Sequence, residues 1–300
     1  MNYSIFRFEA VVDFIEVRIH TTTRNQGWKI KGALALHGIS YVEPVQPDAA
    51  GWSSHFRIKL YDLRTHAALQ SKLASIESEC PFASPPVVTM IEVAFDGYLK
   101  DPAAPTNHNH LAALAARMAY QLAAPVSPNS RIYRDGKGGP TALPRTLEAI
   151  ERKMVEGWNV GFGDKTADQY QHGYLKTTDH NKKPIPVEIH RARFEIRLAG
   201  AALPDQDIDS WKSFKFESLA PYISFRKADP TADQMQQAII AGYADRASHR
   251  KAIPRKDSSN TRAHIMPADT ELNQIVKRQL QHLTRRWSYV RKSAKISTKK

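Results

Sequence analysis

The first hundred residues change hydrophobic period in a fixed order, and that order limits the folds open to the chain. Period-2 alternation marks strands at residues 11–19 (VVDFIEVRI), 39–45 (ISYVEPV), 55–61 (HFRIKLY) and 87–98 (VVTMIEVAFDGY), because successive strand side chains point to opposite faces. Helical spacing falls between them at 28–36 and at 65–79, the second opened by Thr65 as an N-cap. The order βαββαβ predicts an α+β chain with a ferredoxin-like arrangement, its first and last strands side by side.

A helix is expected at 110–123, an exposed loop over the Pro/Ser/Gly-rich stretch 125–144, and a helix at 145–157. Strand patterns at 158–162, 170–178 and 190–200 add antiparallel strands, with an NKKP turn at 181–184 between the last two. Helices at 231–247 and 269–287 flank a polar linker. The later one aligns Leu272, Ile275, Val276, Leu280, Leu283 and Trp287 on one stripe and leaves Lys277, Arg278 and Arg285 on the other face. Residues 288–300 read as a disordered basic tail. The expected division is an α+β core over 1–230, a helical DNA-binding and docking extension over 231–287, and the tail over 288–300.

Charge is distributed unevenly along this frame. The chain holds 43 Lys/Arg and 30 Asp/Glu, of which 15 and 3 respectively lie between Arg246 and Lys300. Nearly all of the net charge of +13 is therefore C-terminal, the pattern of a near-neutral body carrying a phosphate-neutralising region. Trp287 and Tyr289 among those charges favour nucleic acid over a solubilising tail or an anionic membrane surface. No apolar run approaches the roughly 18 residues of a membrane span. The N-terminal stretch has no basic leader followed by an apolar run, so no secretion is expected. Cys80, the single cysteine, excludes an internal disulfide or a multi-cysteine zinc site and fits a reducing cytoplasm.

Alternation also assigns faces. Glu92 and Asp96 share one side of the 87–98 strand with Met90, Ala94 and Tyr98; Arg191, Arg193, Glu195 and Arg197 share one side of the 190s strand; Tyr170, His172, Tyr174 and Lys176 share one side of the strand before it. Each strand alone reads as a solvated sheet face. Tyr174 alone reads as a half-buried aromatic, and Glu195 between two arginines as an ion-pair partner. Together they supply oxygen ligands for Mg²⁺ or Mn²⁺, a phenolic nucleophile and phosphate-binding cations. Asp13 and Glu16 on the first strand are reserve ligands, on opposite faces, so at most one joins the same site. His108-Asn109-His110 reads as a helix start rather than a metal motif.

The segment GDKTADQYQHGYLKTTD followed by HRARFEIRLAG resembles the signature of replication initiation (Rep) proteins of rolling-circle plasmids and filamentous-type phages. Gly163 and Asp164 match its opening, Tyr174 and Lys176 its Tyr and Lys, and Arg193, Glu195 and Leu198 its last element, while IEVAFDGY resembles the upstream acidic strand. Ala167 and His172 depart from the pattern, where Ser and Arg are usual, and that puts phosphate contacts in question. The resemblance implies a Rep-type nicking core that starts replication by tyrosine transesterification at an origin. It implies Tyr174 and Lys176 as catalytic residues and a divalent metal, Mg or Mn, on Glu92, Asp96 and Glu195. DNA contacts would come from His172, Arg193, Arg197, Lys277, Arg278, Arg285, Arg286, Arg291 and Lys292. Beyond origin DNA, a host helicase and polymerase are the implied partners. Two other readings stay open: a non-catalytic DNA-binding or copy-control protein on the same scaffold, and an RNA or single-strand binding module, although the aromatic spacing of RNA-recognition strands is missing.

Overall fold

A computed structural model describes residues 1–38, 40–102, 107–122, 130–134, 139–144, 146–179, 183–227 and 268–289. The helix expected at 231–247, the linker after it, and Arg291 and Lys292 of the tail lie outside the described residues. The chain is mixed α+β, with a large antiparallel sheet and several helices. No described helix is long and apolar enough to cross a membrane.

The N-terminal order is β1 (Phe6–Gln26), α1 (Gly27–Ala33), β2 (Ser40–Val45), β3 (Trp52–Leu63), α2 (His66–Glu79) and β4 (Phe82–Leu99). After it come α3 (Asn107–Tyr120), β5 (Ser130–Tyr133), β6 (Thr141–Ala142), α4 (Leu147–Val155), β7 (Asn159–Phe162) and β8 (Gln169–Lys176). A small pair, β9 (Thr178–Asp179) and β10 (Lys183–Pro184), precedes β11 (Arg191–Ala199), and α5 (Thr270–Trp287) closes the described chain. Two strands outrun the alternation: β1 begins at Phe6, and β4 begins before Pro85 and Pro86, where missing N–H donors ordinarily argue against a strand. The 125–144 loop reading needs correction, since β5 and β6 lie inside it. At four and two residues they are too short for periodicity to register.

Two compact units divide the chain. One comprises Met1–Asp13, Met90–Pro204 and Phe216–Gln281; the other comprises Phe14–Thr89, Asp205–Lys215 and His282–Lys300. In the first, the strand order is β1-β4-β11-β8-β7-β5-β6. Its apolar face carries Ile91, Val93, Phe95, Phe194, Ile196 and Leu198, all essentially inaccessible to water, and α3 packs against β8 and β11. The alanines of α3 keep that approach close. Gly97 is required there, because a Cβ would stand 2.5 Å from Leu114 Cδ2 and 3.1 Å from Phe8 Cε1. Phe8 stacks on Phe95 at 5.3 Å, and Phe194 meets Phe225 edge-on at 5.5 Å. Burying each such ring stabilises by about 1.5–3 kcal/mol.

Helix ends in this unit are fixed locally. Thr146 Oγ1 accepts from Ala149 N at 3.2 Å to open α4, and Gly157, at φ 81°, ends it with its N–H on the Met154 carbonyl. Asp269 opens α5, accepting from Leu272 N at 3.1 Å while its second oxygen accepts the Tyr3 hydroxyl at 2.6 Å. Of the expected stripe on that helix, Leu272, Val276, Leu280, Leu283 and Trp287 are buried and Ile275 is half-buried, with Lys277, Arg278 and Arg285 exposed and Arg286 half-buried. The second unit has strand order β2-β3-β1-β4. Its α2 opens on Thr65, whose Oγ1 accepts from Ala68 N at 3.1 Å, and buries Leu69, Leu73 and Ile76.

Candidate active site

Register turns the polar faces of three strands into one surface. In β11 and β4, Arg193 lies opposite Asp96 and Arg197 opposite Glu92. In β11 and β8, Arg193 lies opposite Tyr174, Glu195 opposite His172, and Arg197 opposite Tyr170. Paired residues project to the same side, so Glu92, Asp96, His172, Tyr174, Lys176, Arg193, Glu195 and Arg197 share one face.

At the centre, Glu195 is 2% exposed and Glu92 7%. Glu195 Oε2 is 2.6 Å from His172 Nε2, and its other oxygen accepts the Tyr174 hydroxyl at 3.0 Å and Arg193 Nη1 at 3.1 Å. One ligand-capable atom from each of Glu92, His172 and Glu195 falls within 4.8 Å of the others. The His172 ring is stacked between Tyr170 and Tyr174, with centroids 5.3 Å away on either side, and its Nδ1 is buried without a hydrogen-bond partner.

Arg193 is the hub of the remaining charge. Nε and Nη2 hold the two oxygens of Asp96 at 2.6 Å each, and Nη1 reaches Asp13 at 2.5 Å. Asp96 is fully buried and also 3.3 Å from Arg191. It lies outside the Glu92, His172 and Glu195 group, although the sequence grouped it with the metal ligands. Arg193, nominated for DNA contact, is 3% exposed and committed to carboxylates. Arg197 stands at the other end, donating to the Lys165 carbonyl with its guanidinium 4.8 Å over the Tyr170 ring. Lys176 is 3.3 Å from Asp179. Of the two reserve acids, Asp13 joins this face and Glu16 accepts from Thr89 Oγ1 at 2.9 Å instead.

The crowding sets the protonation states. Burial, followed by the charges of Glu195 and Asp13, raises the Glu92 carboxyl well above its usual range. Burial alone would raise Glu195 too, but His172, Arg193 and Lys176 outweigh it and hold Glu195 at about 2. Burial and the Glu195 charge push the Tyr174 phenol well above its usual value. Tyr170 is raised by burial, opposed by its hydrogen bond to the Tyr133 hydroxyl at 3.2 Å. The surroundings thus favour the protonated forms of Glu92 and Tyr174 and the charged form of Glu195.

Sequence reasoning gave His172 a phosphate contact, whereas the structure puts it against Glu195. It did not single out Gly161. That glycine lies opposite His172 in β7, and a Cβ there would stand 2.5 Å from the Tyr170 hydroxyl.

No family model matches the chain, and no curated protein matches it. Among solved structures it is similar to a rolling circle replication initiator protein from Geobacillus stearothermophilus, with 12% identity, 80% of this chain and 97% of that chain covered, and a TM-score of 0.34. It is also similar to the regulatory subunit of aspartate kinase from Thermus thermophilus, with 9% identity, 64% and 87% coverage, and a TM-score of 0.21. Scores at this level assign neither a shared fold nor an activity.

Proposed function

We propose that the protein nicks DNA by tyrosine transesterification to start replication at an origin, on a ferredoxin-like core extended by antiparallel strands. The observation that carries this reading is the Tyr174 hydroxyl 3.0 Å from Glu195, inside the group formed with Glu92 and His172. The C-terminal concentration of Lys and Arg supports a nucleic-acid substrate.

In this reading Tyr174 Oη gives up its proton to water and attacks a phosphodiester phosphorus, the bond from phosphorus to the 3′ oxygen breaks, and that oxygen leaves as a 3′ hydroxyl after taking a proton from water. Tyr174 keeps the 5′ phosphate. Glu195 accepts the hydrogen bond of the phenol and so aims its oxygen. With its pKa near 2, it is too weak a base to take that proton in the metal-free protein. The stacked rings of Tyr170 and His172 fix the plane of Tyr174, and Lys176 supplies positive charge toward the phosphate.

Glu92, His172 and Glu195 fit a divalent cation: two carboxylates and an imidazole come together, and burial with the charges of Glu195 and Asp13 raises the Glu92 carboxyl where a cation would lower it. Mg²⁺ or Mn²⁺, when bound, would supply the charge that lets the phenol ionise and the phosphate approach. A site of this kind competes with the Glu92 proton.

Glu92→Gln tests the site without requiring activity. A carboxyl whose pKa is raised on folding binds its proton more tightly in the folded state, so it lowers stability as pH rises above about 4.5. The metal-free variant is therefore expected to melt above the wild type at pH 7 to 8 and to lose that advantage below pH 4.5. Mn²⁺ at about 100 times its dissociation constant should stabilise the wild type by about 2.7 kcal/mol and leave the variant unmoved. A wild-type melting temperature indifferent to Mn²⁺ and Mg²⁺ removes the metal from the proposal. Origin binding without cleavage in any metal would favour the copy-control reading.

A further inference from the structure

The second unit carries a surface that the Tyr174 chemistry does not use. There α1 packs on β2 and β3, and α2 on β3, over a face on which Phe56, Ile58 and Leu60 are fully buried. The alternate residues of β3 point the other way, and that face is open: His55 and Arg57 are exposed, Lys59 and Tyr61 half-buried. Register places Tyr41 of β2 opposite Lys59, and Glu43 opposite Arg57. From β1 the same face receives His20, whose ring stacks on His55 at 4.1 Å and 10°, with exposed Arg18 two residues away.

A polar sheet face needs only solvated side chains, and this one carries more. Tyr41 is 51% exposed, with its ring unburied at the β2 edge. The two histidines present a preformed stack. Among these residues Arg18 and Arg57 are exposed, against a half-buried Glu43, with Lys59 half-buried above the Phe14 ring at 4.9 Å. Planar rings interleaved with cations suit a chain of anionic phosphates and unstacked bases, because every base offers a π-face and every linkage a charge. A duplex hides its base faces and gains nothing from the rings.

We propose that this face is a stacking platform for single-stranded DNA. Bases lie on Tyr41 and on the His20 and His55 pair, and Arg18, Arg57 and Lys59 hold the phosphates. The choice of DNA over RNA rests on the function proposed above; the surface itself is read independently of it. Glu43 bonds Arg57 at 2.7 Å and must be displaced by a phosphate, so it weakens binding.

Fluorescence anisotropy with the full chain and a labelled oligothymidine of about 12 nucleotides tests this. Tyr41→Ala is expected to weaken binding about 5-fold or more, the loss of one stacked base. Arg57→Ala should flatten the slope of log affinity against log salt by about 0.7. Glu43→Gln should tighten binding, a gain that misfolding cannot produce. Unchanged affinity in Tyr41→Ala and Arg57→Ala overturns the inference, as does tighter binding to the duplex or to RNA of the same length. If the variants lose affinity while no cleavage occurs with any metal, the platform stands and the nicking reading falls. Cleavage with affinity indifferent to these variants gives the converse.

Discussion

Arg193→Ala is expected to lower the unfolding free energy by about 3–5 kcal/mol, the range for removing one partner from a buried ion cluster. The guanidinium holds Asp96 through two bonds of 2.6 Å, with Asp13 and Glu195 on its remaining edge. Without it, Asp96 and Glu195 stay in a space that water scarcely reaches, beside the partly exposed Asp13, and burial of charge that has lost its partner is what makes such a truncation costly. Lysine should not rescue the loss, because a single ammonium cannot form the two-pronged bond to Asp96. Urea unfolding measures the effect as a fall in midpoint at unchanged slope. Its pH dependence is also set. The depressed pKa of Glu195 adds stability above about 4.5 that is lost as the pH falls toward 2, and Arg193 is one of its causes. The gap between wild type and variant should therefore narrow through that window. Equal stability at pH 7 would mean that the cluster is solvated and the burial argument wrong.

The residues of this cluster show how far the sequence could be read. Alternation in the 87–98, 170–178 and 190–200 strands placed Glu92, Asp96, Tyr174, Arg193 and Glu195 on polar faces, and these faces do form one surface. What alternation cannot supply is register, because a slip of two residues keeps every face and changes every neighbour. Register puts His172 beside Glu195 and Asp96 beside Arg193, so the carboxylate nominated as a ligand is held by an arginine and a histidine nominated for phosphate stands among the candidate ligands. Protonation was equally illegible, since the raised pKa of Glu92 comes first from burial and then from the charges of Glu195 and Asp13 on other strands. Helix starts read better, because a cap is a local bond: Thr65 was expected to open α2 and does. Within 125–144, β5 is set by a partner elsewhere in the chain, with Ser130 opposite Phe162 and Arg131 opposite Gly161, and β6 in turn pairs with β5, which a local pattern cannot reveal.

Tyr174→Phe is expected to abolish cleavage, a fall of at least about 1,000-fold, to the background left when a nucleophile is removed. The variant loses one oxygen and one hydrogen bond to Glu195, which keeps His172 and Arg193, so stability should change by only about 1 kcal/mol. The ring still stacks on His172, and binding of a single strand should be unaffected. Tyr170→Phe is the matched control. Its hydroxyl bonds Tyr133 at 3.2 Å and its ring lies under Arg197, so it shares the face without touching Glu195 in any described bond. Retained cleavage in Tyr174→Phe together with loss in Tyr170→Phe would move the nucleophile two residues along the strand and leave the chemistry intact.

The most direct measurement is the intact mass of the wild-type protein after incubation with single-stranded origin DNA and Mn²⁺, followed by peptide mapping. A mass increase equal to the 5′-phosphorylated downstream fragment less one water is expected, carried by the peptide that contains Tyr174 and absent from Tyr174→Phe. No covalent adduct on any origin strand, with Mn²⁺ or Mg²⁺, would contradict transesterification by this site.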